Sequence, residues 1–169
     1  MDERISDGSS VDIEVVHPGD PVADGIVRTY LAEVASRWYG RSATEEEVDR
    51  ALRDEPYDDL HGASGVFLVA VEQGRAIACA GARFGAGVGL GVAELTKVFT
   101  LPESRGRGTA ARLVRELEAA CRRRGIGVLR LDTRAELAEA CALYERLGFE
   151  RVPAFTDDPY SDRWYAKRL

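Results

Sequence analysis

The chain has 169 residues, 45% of them hydrophobic, and a formal net charge of −6 at pH 7. This size predicts one domain whose core needs neither disulfides nor a structural metal. The acidic balance disfavours a nucleic-acid-binding protein, because affinity for a phosphate backbone depends on a basic surface. No apolar run reaches the roughly 18 residues of a membrane-spanning helix, so we expect no membrane partner and a cytoplasmic protein.

Hydrophobic periodicity and turn residues divide the chain into strands and helices behind a polar leader. We expect residues 1–10 to be disordered and residues 11–169 to form the one domain. The order of elements predicts an α/β sandwich of the α+β type, with a mixed, mostly antiparallel sheet of about six to seven strands flanked by about four helices. The predicted strands lie at residues 11–16, 66–71, 76–84, 92–101, 126–131, 149–152 and 164–169, and the predicted helices at residues 21–38, 44–53, 110–124 and 137–147.

Cysteine and histidine usage gives no sign of a metal centre. Cys79, Cys121 and Cys141 each lie within an apolar pattern, so we expect small core residues in a reducing compartment. The two histidines are far apart in the sequence, and no Cys-x-x-Cys pair occurs. We therefore predict no metal site.

The most informative segment is a glycine-rich stretch between the strand at residues 92–101 and the helix at residues 110–124. Its sequence is Arg-Gly-Arg-Gly-Thr-Ala, residues 105–110. Glycines at a strand-to-helix junction let backbone N–H groups face a bound anion without side chains in the way, and a helix N-terminus favours negative charge. The segment therefore predicts a phosphate-binding loop.

A dinucleotide-binding loop is the main alternative. Gly106, Gly108 and Ala111 also fit the pattern G-x-G-x-x-G/A, and Asp132 ends a later strand where a ribose-binding acid would lie. However, that fingerprint places its first glycine directly after the strand, whereas five residues separate Thr100 from Gly106. Only 37 residues (169 − 132) follow Asp132, too few for the later βα units of a doubly wound sheet. Both observations argue against a dinucleotide site.

Two motifs resemble those of the GCN5-related N-acetyltransferases, the GNAT family, and they occur in the same order along the chain. Residues 105–110 match the family pattern R/Q-x-x-G-x-G/A, and the strand from Glu94 onward is similar to the family's fourth strand. Residues 142–149, Ala-Leu-Tyr-Glu-Arg-Leu-Gly-Phe, are similar to its later A-x-x-L-Y-x-x-x-G-F helix. The resemblance covers residues 94–149 with specific motifs, and it implies acetyl-coenzyme A (acetyl-CoA) as the acyl donor.

The resemblance also implies how this donor is held. Backbone N–H groups of the loop would bind the pyrophosphate, with the Arg105 and Arg107 side chains adding positive charge. The backbone of the preceding strand would pair with the pantetheine arm and offer an N–H to the thioester oxygen. The segment after residue 131 lacks the asparagine that many relatives use, so no cofactor contact is predicted there. The predicted cofactor-binding residues are Val98, Phe99, Thr100, Arg105, Gly106, Arg107, Gly108, Thr109, Ala110 and Ala111.

Acetyl transfer to an amine needs a base, because an amine such as lysine arrives as an ammonium ion with a pKa of about 10.4. Glu94 is the candidate base. It lies 11 residues before Arg105 (105 − 94), the offset at which a strand glutamate is the general base in the histone-acetylating branch of the family. In the alternative interpretation, Glu94 begins an edge strand and faces solvent. Asp132 is a second candidate carboxylate.

Tyr144 is the candidate acid for the departing thiolate. A phenol with a pKa of about 10 can protonate or hydrogen-bond a thiolate whose parent thiol titrates at about 8.5. Tyr144 also continues an apolar helical stripe with Leu137, Cys141 and Leu147, which is typical of a core residue. The sequence leaves both interpretations open.

The predicted function is the transfer of an acetyl group from acetyl-CoA to a primary amine of a small molecule or peptide, by direct attack on the thioester. A non-catalytic acyl-CoA-binding sensor or interaction module of the same fold is the alternative. The oligomeric state is left open, a homodimer included. The regions expected to frame the acceptor mix acids with aromatics, which suits a cationic amine or an ordinary solvated surface. They contain Trp38, Tyr39, Glu45, Glu46, Glu47, Tyr57, Asp58, Asp59 and residues 155–160.

Overall fold

The computed structural model describes residues 10–85 and 88–169. The predicted leader falls on residues 1–10, of which residues 1–9 lie outside the described residues. The elements in chain order are β1 (Val11–Val15), α1 (Pro21–Tyr39), α2 (Glu45–Asp54), β2 (Gly65–Glu72), β3 (Arg75–Arg83), β4 (Val92–Thr100), a 3-10 turn (Pro102–Ser104), α3 (Thr109–Arg123), β5 (Val128–Thr133), α4 (Ala138–Arg146), β6 (Glu150–Arg151) and β7 (Arg163–Arg168).

The strands form one seven-stranded sheet in the order β1-β2-β3-β4-β5-β7-β6. Neighbouring strands are antiparallel except for β4 and β5. Helices α1 and α3 both contact β3, and this strand is buried at successive positions, which face opposite sides of a sheet. The helices therefore cover both faces. The predicted α/β sandwich with a mixed, mostly antiparallel sheet is confirmed.

The first two helices begin at capping residues. Asp20 Oδ1 accepts a hydrogen bond from the Val22 N–H at 2.9 Å, just before the first turn of α1. At α2, Thr44 Oγ1 accepts from the Glu47 N–H at 3.2 Å, and Glu47 Oε1 accepts from the Thr44 N–H at 3.0 Å. This reciprocal pair is a capping box, which satisfies two backbone donors that the helix itself leaves unpaired.

Strand β5 begins two residues later than predicted, because the preceding residues complete the end of α3. Gly125 has φ +74, and its N–H donates to the Arg122 carbonyl at 3.0 Å. The Ile126 N–H donates to the Cys121 carbonyl at 3.0 Å. These two bonds form a Schellman motif, which uses the Ile126 backbone for the helix end. The strand can therefore start only after this residue.

The sheet opens between its two parallel strands. Residues 92–94 of β4 pair with residues 128–130 of β5, and beyond this point each strand pairs only with its other neighbour. Strand β4 also contains a bulge, because its register to β3 shifts by one residue between Thr96 and Phe99. Lys97 lies in this bulge with φ +55. The opening and the bulge together create the space in which the candidate site lies.

The core contains all three cysteines, each buried and free. Their prediction as small core residues is confirmed. Burial raises the pKa of the Cys121 thiol to about 11, which keeps it protonated and unreactive near neutral pH. Among residues 10–85 and 88–169, no group of three or more His, Cys, Asp or Glu side chains is placed to hold a metal ion. No described helix is long and apolar enough to cross a membrane.

Candidate functional site

A cavity of about 530 Å³ occupies the opening between β4 and β5. Its walls come from α1, α2, the α2–β2 loop, the end of β3, β4, β5, α4 and the segment before β7. The cavity brings together both predicted catalytic residues, Glu94 from β4 and Tyr144 from α4, and it also contains Asp132 from β5. Residues that are 50 positions apart in the sequence (144 − 94) therefore share one chamber.

Glu94 faces the cavity from a central strand, with its side chain 24% exposed. Burial raises the pKa of its carboxyl group, and the negative charge of Asp132 raises it further. Arg83 and Arg130 act in the opposite direction, and the Arg83 Nη1 lies 3.9 Å from Glu94 Oε1. A carboxylate with a raised pKa holds a proton more readily than a solvated one, as a general base requires.

Asp132 is held in place from the β7 side of the cavity. Its Oδ2 accepts a hydrogen bond from Thr156 Oγ1 at 3.1 Å, and that hydroxyl in turn accepts from Trp164 Nε1 at 2.9 Å. The chain of bonds orients the Asp132 carboxylate toward the β4–β5 opening, where its charge acts on Glu94. The two carboxylates therefore form one negatively charged pole of the cavity.

Tyr144 is packed in the core and also lies in the cavity wall, so its role as the acid stays a prediction. Only 6% of it is exposed, and its ring packs 5.8 Å from the Phe149 ring and 6.0 Å from the Tyr165 ring. It also lines the cavity. Burial, with added repulsion from Cys141 and Asp132, raises the pKa of its phenol well above the usual value. The hydroxyl therefore stays protonated near neutral pH and can act as a proton donor.

The glycine-rich loop leads into an uncapped helix. Gly106 and Gly108 have φ +78 and +77, and open space lies where their side chains would be. Gly108 is the N-cap of α3, and no side chain in the described chain caps this helix. The first N–H groups of α3 therefore lack a side-chain acceptor, and they face a space that glycine keeps clear. This arrangement is suited to an anion such as a pyrophosphate.

The two arginines of this loop are engaged in ion pairs. Arg105 donates from Nη2 to both carboxylate oxygens of Glu33 at 3.0 and 2.8 Å, and from Nε to the Thr100 carbonyl at 3.1 Å. Arg107 pairs with Glu72, whose pKa it lowers. The positive charge of both side chains is thus matched by carboxylates of α1 and β2, and their part in pyrophosphate binding stays a prediction.

The predicted pantetheine-binding segment, residues 98–100, lies on the part of β4 that does not pair with β5. Its backbone on that side is available to an extended ligand, as a sheet edge is to another strand. Val98 lines the cavity, and the Phe99 ring packs 5.5 Å from the Tyr30 ring. The predicted donor-binding residues therefore form one continuous stretch from the cavity to the N-terminus of α3.

The acceptor side agrees with the sequence in part. Tyr57 is buried and its hydroxyl donates to Asp24, so it lies outside the cavity, and Glu45 and Glu46 lie outside it as well. Sequence reasoning missed Tyr30, Glu55, Arg83, Lys97 and Arg134, all of which line it. Of these five residues, only Lys97 could have been recognised from the sequence, because a charged residue there occupies a position at which the alternating pattern of β4 is buried. The predicted acceptor residues that line the cavity are Trp38, Tyr39, Glu47, Asp58, Asp59, Thr156, Asp158 and Tyr160.

The chain is similar to solved structures that share this architecture. A GNAT-family acetyltransferase of Staphylococcus aureus Mu50 superposes with a TM-score of 0.73 at 13% identity, over 95% of this chain and 99% of that one. The PaiA N-acetyltransferase of Thermoplasma acidophilum, solved in complex with coenzyme A, gives 0.72 at 18% identity, again over 95% and 99%. At these identities the likeness establishes the fold.

Sequence comparison establishes the family. An uncharacterised N-acetyltransferase of Schizosaccharomyces pombe is 30% identical over 144 residues, which cover 84% of this chain and 83% of that protein. The uncharacterised N-acetyltransferase YjgM of Escherichia coli is 43% identical over 61 residues, or 36% of each chain. The model of the Acetyltransferase (GNAT) family matches residues 30–149, which include the whole β4–β5 opening and the glycine-rich loop. This protein therefore belongs to the GNAT family of acetyltransferases.

Proposed function

We propose that this protein is an acetyl-CoA-dependent N-acetyltransferase that acts in the cytoplasm on a primary amine of a small molecule or peptide. One observation carries the proposal: a carboxylate and a phenol, both with raised pKa values, line the same cavity in a chain of the acetyltransferase family. A base and an acid are the two groups that acetyl transfer requires from the enzyme.

The donor-binding part of the proposal rests on backbone geometry. The uncapped N-terminus of α3 and the open space at Gly106 and Gly108 fit a pyrophosphate, which needs several N–H donors and close approach of the backbone. The unpaired side of residues 98–100 fits an extended pantetheine arm, with its thioester toward the cavity. In this arrangement the acetyl group lies between Glu94 and Tyr144.

The proposed reaction is a single displacement. Glu94 takes a proton from the acceptor ammonium, directly or through water, and the free amine attacks the thioester carbon. The new C–N bond forms as the C–S bond breaks, and a backbone N–H of β4 stabilises the developing oxyanion. Tyr144 donates a proton to the leaving thiolate of coenzyme A. The new amide nitrogen loses its second proton through water to the Tyr144 phenolate, and Glu94 releases its proton to solvent. The products are the acetylated amine, free coenzyme A and one proton.

A thermal-shift screen followed by a thiol-release assay tests the proposal. Acetyl-CoA at a hundredfold excess over its Kd stabilises the folded state by about 2.7 kcal/mol, which is roughly 5–10 °C in Tm for a domain of this size. Pooled primary amines should then release free thiol, and NAD should produce no shift. The absence of any shift at millimolar acetyl-CoA would contradict the proposal. A shift without turnover across the amine panel would instead identify a binding module.

A further inference from the structure

Lys97 is an unusual residue at the centre of the cavity wall. It is 6% exposed, although lysine is rarely buried without a close partner. Its φ of +55 lies in the left-handed region, which a non-glycine residue occupies only when the surrounding structure holds it there. The bulge of β4 and a hydrogen bond from Cys79 Sγ to the Lys97 carbonyl, 3.2 Å long, hold this conformation. The fold thus holds an ammonium group inside the cavity.

The protein gives this ammonium group little compensation. Its nearest carboxylate oxygen, Glu55 Oε2, lies 3.7 Å away, which is longer than a hydrogen bond. Glu55 is itself 42% exposed, and within residues 10–85 and 88–169 no hydrogen bond from the Lys97 ammonium is found. Burial accordingly lowers the pKa of Lys97, and the negative charge of Glu55 acts in the opposite direction. Lys97 lines the cavity, so an acceptor oxygen of a molecule that enters it can hydrogen-bond the ammonium group.

The other charges of the acceptor wall are matched within the protein only in part, because no ion partner is found among the described residues for Asp54, Asp58 or Asp158. Asp59 pairs with Arg83 at 2.6 Å, and Glu47 pairs with Arg41 at 2.8 Å. The aromatic faces are also occupied, because the Arg134 guanidinium lies 5.1 Å from the Trp38 ring centre. The acids that suggested a cationic acceptor are therefore neutralised only in part, and the negative charge that remains suits the amine end of an acceptor.

Two poles of opposite charge lie in the cavity. Glu94 and Asp132 supply negative charge at the β4–β5 opening, and Lys97 supplies positive charge three residues further along β4. A ligand with an ammonium group alone would leave the Lys97 donors unsatisfied. A ligand with one group of each sign would satisfy both poles at once.

We propose that the acceptor is an amine that also carries a carboxylate, and that Lys97 hydrogen-bonds this carboxylate while the amine lies at Glu94. This inference rests on the proposed function and names its substrate class. Lys97 is here a specificity-determining residue, since it contacts the part of the substrate that does not react. The carboxylate belongs either to a free amino acid or to a peptide, and the two sources are distinguished below.

The experiment compares amines that differ only in the carboxylate. The pairs are γ-aminobutyrate with butylamine, β-alanine with propylamine, and a dipeptide with its C-terminal amide. In the wild type, kcat/KM for the carboxylate member should be about 10- to 100-fold higher, the usual effect of a hydrogen bond to a charged group. Preference within the dipeptide pair alone identifies a peptide, and preference among the small amines identifies a free amino acid. Equal values, or a preference for the plain amines, overturn the inference.

Substitution of Lys97 tests its part directly. In Lys97→Met and Lys97→Gln the ratio of kcat/KM within each pair should fall toward one. Lys167→Met is the matched control, because Lys167 pairs with Glu118 outside the cavity, and its ratio should equal that of the wild type. A ratio that survives the loss of Lys97 overturns the assignment. If neither Lys97 variant folds, as judged by circular dichroism, the wild-type ratios still decide the substrate class.

Binding without turnover separates this inference from the proposed function. With coenzyme A present, γ-aminobutyrate should raise the Tm of the wild type more than butylamine does, and Lys97→Gln should abolish the difference. This measurement needs no catalysis. Absence of thiol release with every amine would therefore contradict the proposed enzyme, whereas equal Tm shifts from the two amines would contradict the role of Lys97.

Discussion

The proposed donor side and the proposed acceptor side of this cavity are built in different ways. The proposed donor side is a continuous stretch, residues 98–111, which offers mostly backbone N–H groups and glycines. The acceptor side is assembled from side chains of α1, α2, β3 and β4 and from the segment before β7. A backbone site needs a particular chain path and can be recognised from a short motif. A site made of side chains depends on which distant segments come together in the fold, and a short motif does not contain this information.

Charge shows the same difference between the two sides. On the donor side, Arg105 and Arg107 lie next to the loop, and each is paired with a glutamate. On the acceptor side, Glu47 and Asp59 are paired with arginines, whereas Lys97 is held only by Glu55 at 3.7 Å. The net charge of the whole chain therefore does not predict the charge on either side of the cavity. The charges available to a ligand are those that the fold leaves unpaired.

The largest effect on kcat is expected from substitution of Glu94, the proposed base. Glu94→Gln should lower kcat by roughly 10²- to 10⁴-fold, because the acceptor then arrives as an ammonium ion that no group deprotonates. The Kd for acetyl-CoA, measured by calorimetry, should hardly change, since Glu94 lies beyond the donor side. Glu14→Gln, on the exposed face of β1, is the control. Wild-type turnover in Glu94→Gln would remove this role.

The proposed acid should have the next largest effect. Tyr144→Phe keeps the packed ring and removes the hydroxyl, so kcat should fall by roughly a hundredfold while the melting temperature changes little. Tyr165→Phe is the matched control, because that tyrosine adjoins Tyr144, donates to Glu145 Oε1 at 3.0 Å and does not line the cavity. Equal losses of kcat in the two variants would indicate that Tyr144 acts through packing alone.

A substitution in the glycine-rich loop should weaken the affinity for acetyl-CoA. Gly108→Val places a β-branched residue at φ +77, which costs about 1–2 kcal/mol, and its methyl groups fill the space kept for the phosphate. We expect the Kd for acetyl-CoA to rise by at least about tenfold. Gly125→Val is the matched control, since Gly125 has φ +74 and equally open surroundings but lies at the other end of α3. It should lose similar stability and keep its affinity for acetyl-CoA.

The smallest effect is a shift of the pH profile. Asp132 raises the pKa of Glu94, so Asp132→Asn should lower that pKa. A base works when it is deprotonated, and the acidic limb of kcat/KM should therefore move to lower pH. Arg83→Met should move it to higher pH, because Arg83 lowers the same pKa. If the acidic limb of kcat/KM stays at the same pH in both variants, a group other than Glu94 is responsible for it.

Local signals predicted much of the fold. The capping box at Thr44 and Glu47 and the glycine after α3 specify helix ends through bonds within a few residues, and the structure has both. The length of pairing between β4 and β5 could not be predicted, because it depends on contacts between segments more than 30 residues apart (128 − 92 = 36). The bulge at Lys97 depends likewise on the register of β4 against β3.

The sequence by itself determined the family, the α/β sandwich and the position of the glycine-rich loop, because each follows from local periodicity or from a contiguous motif. It also nominated Glu94 and Tyr144. Only the tertiary structure decided that these two share a cavity with Asp132, that the arginines of the loop are closely paired, and that Lys97 is buried with Glu55 no nearer than 3.7 Å. Burial and charge pairing depend on distances in space, and residues remote in sequence create them only when the sheet has formed.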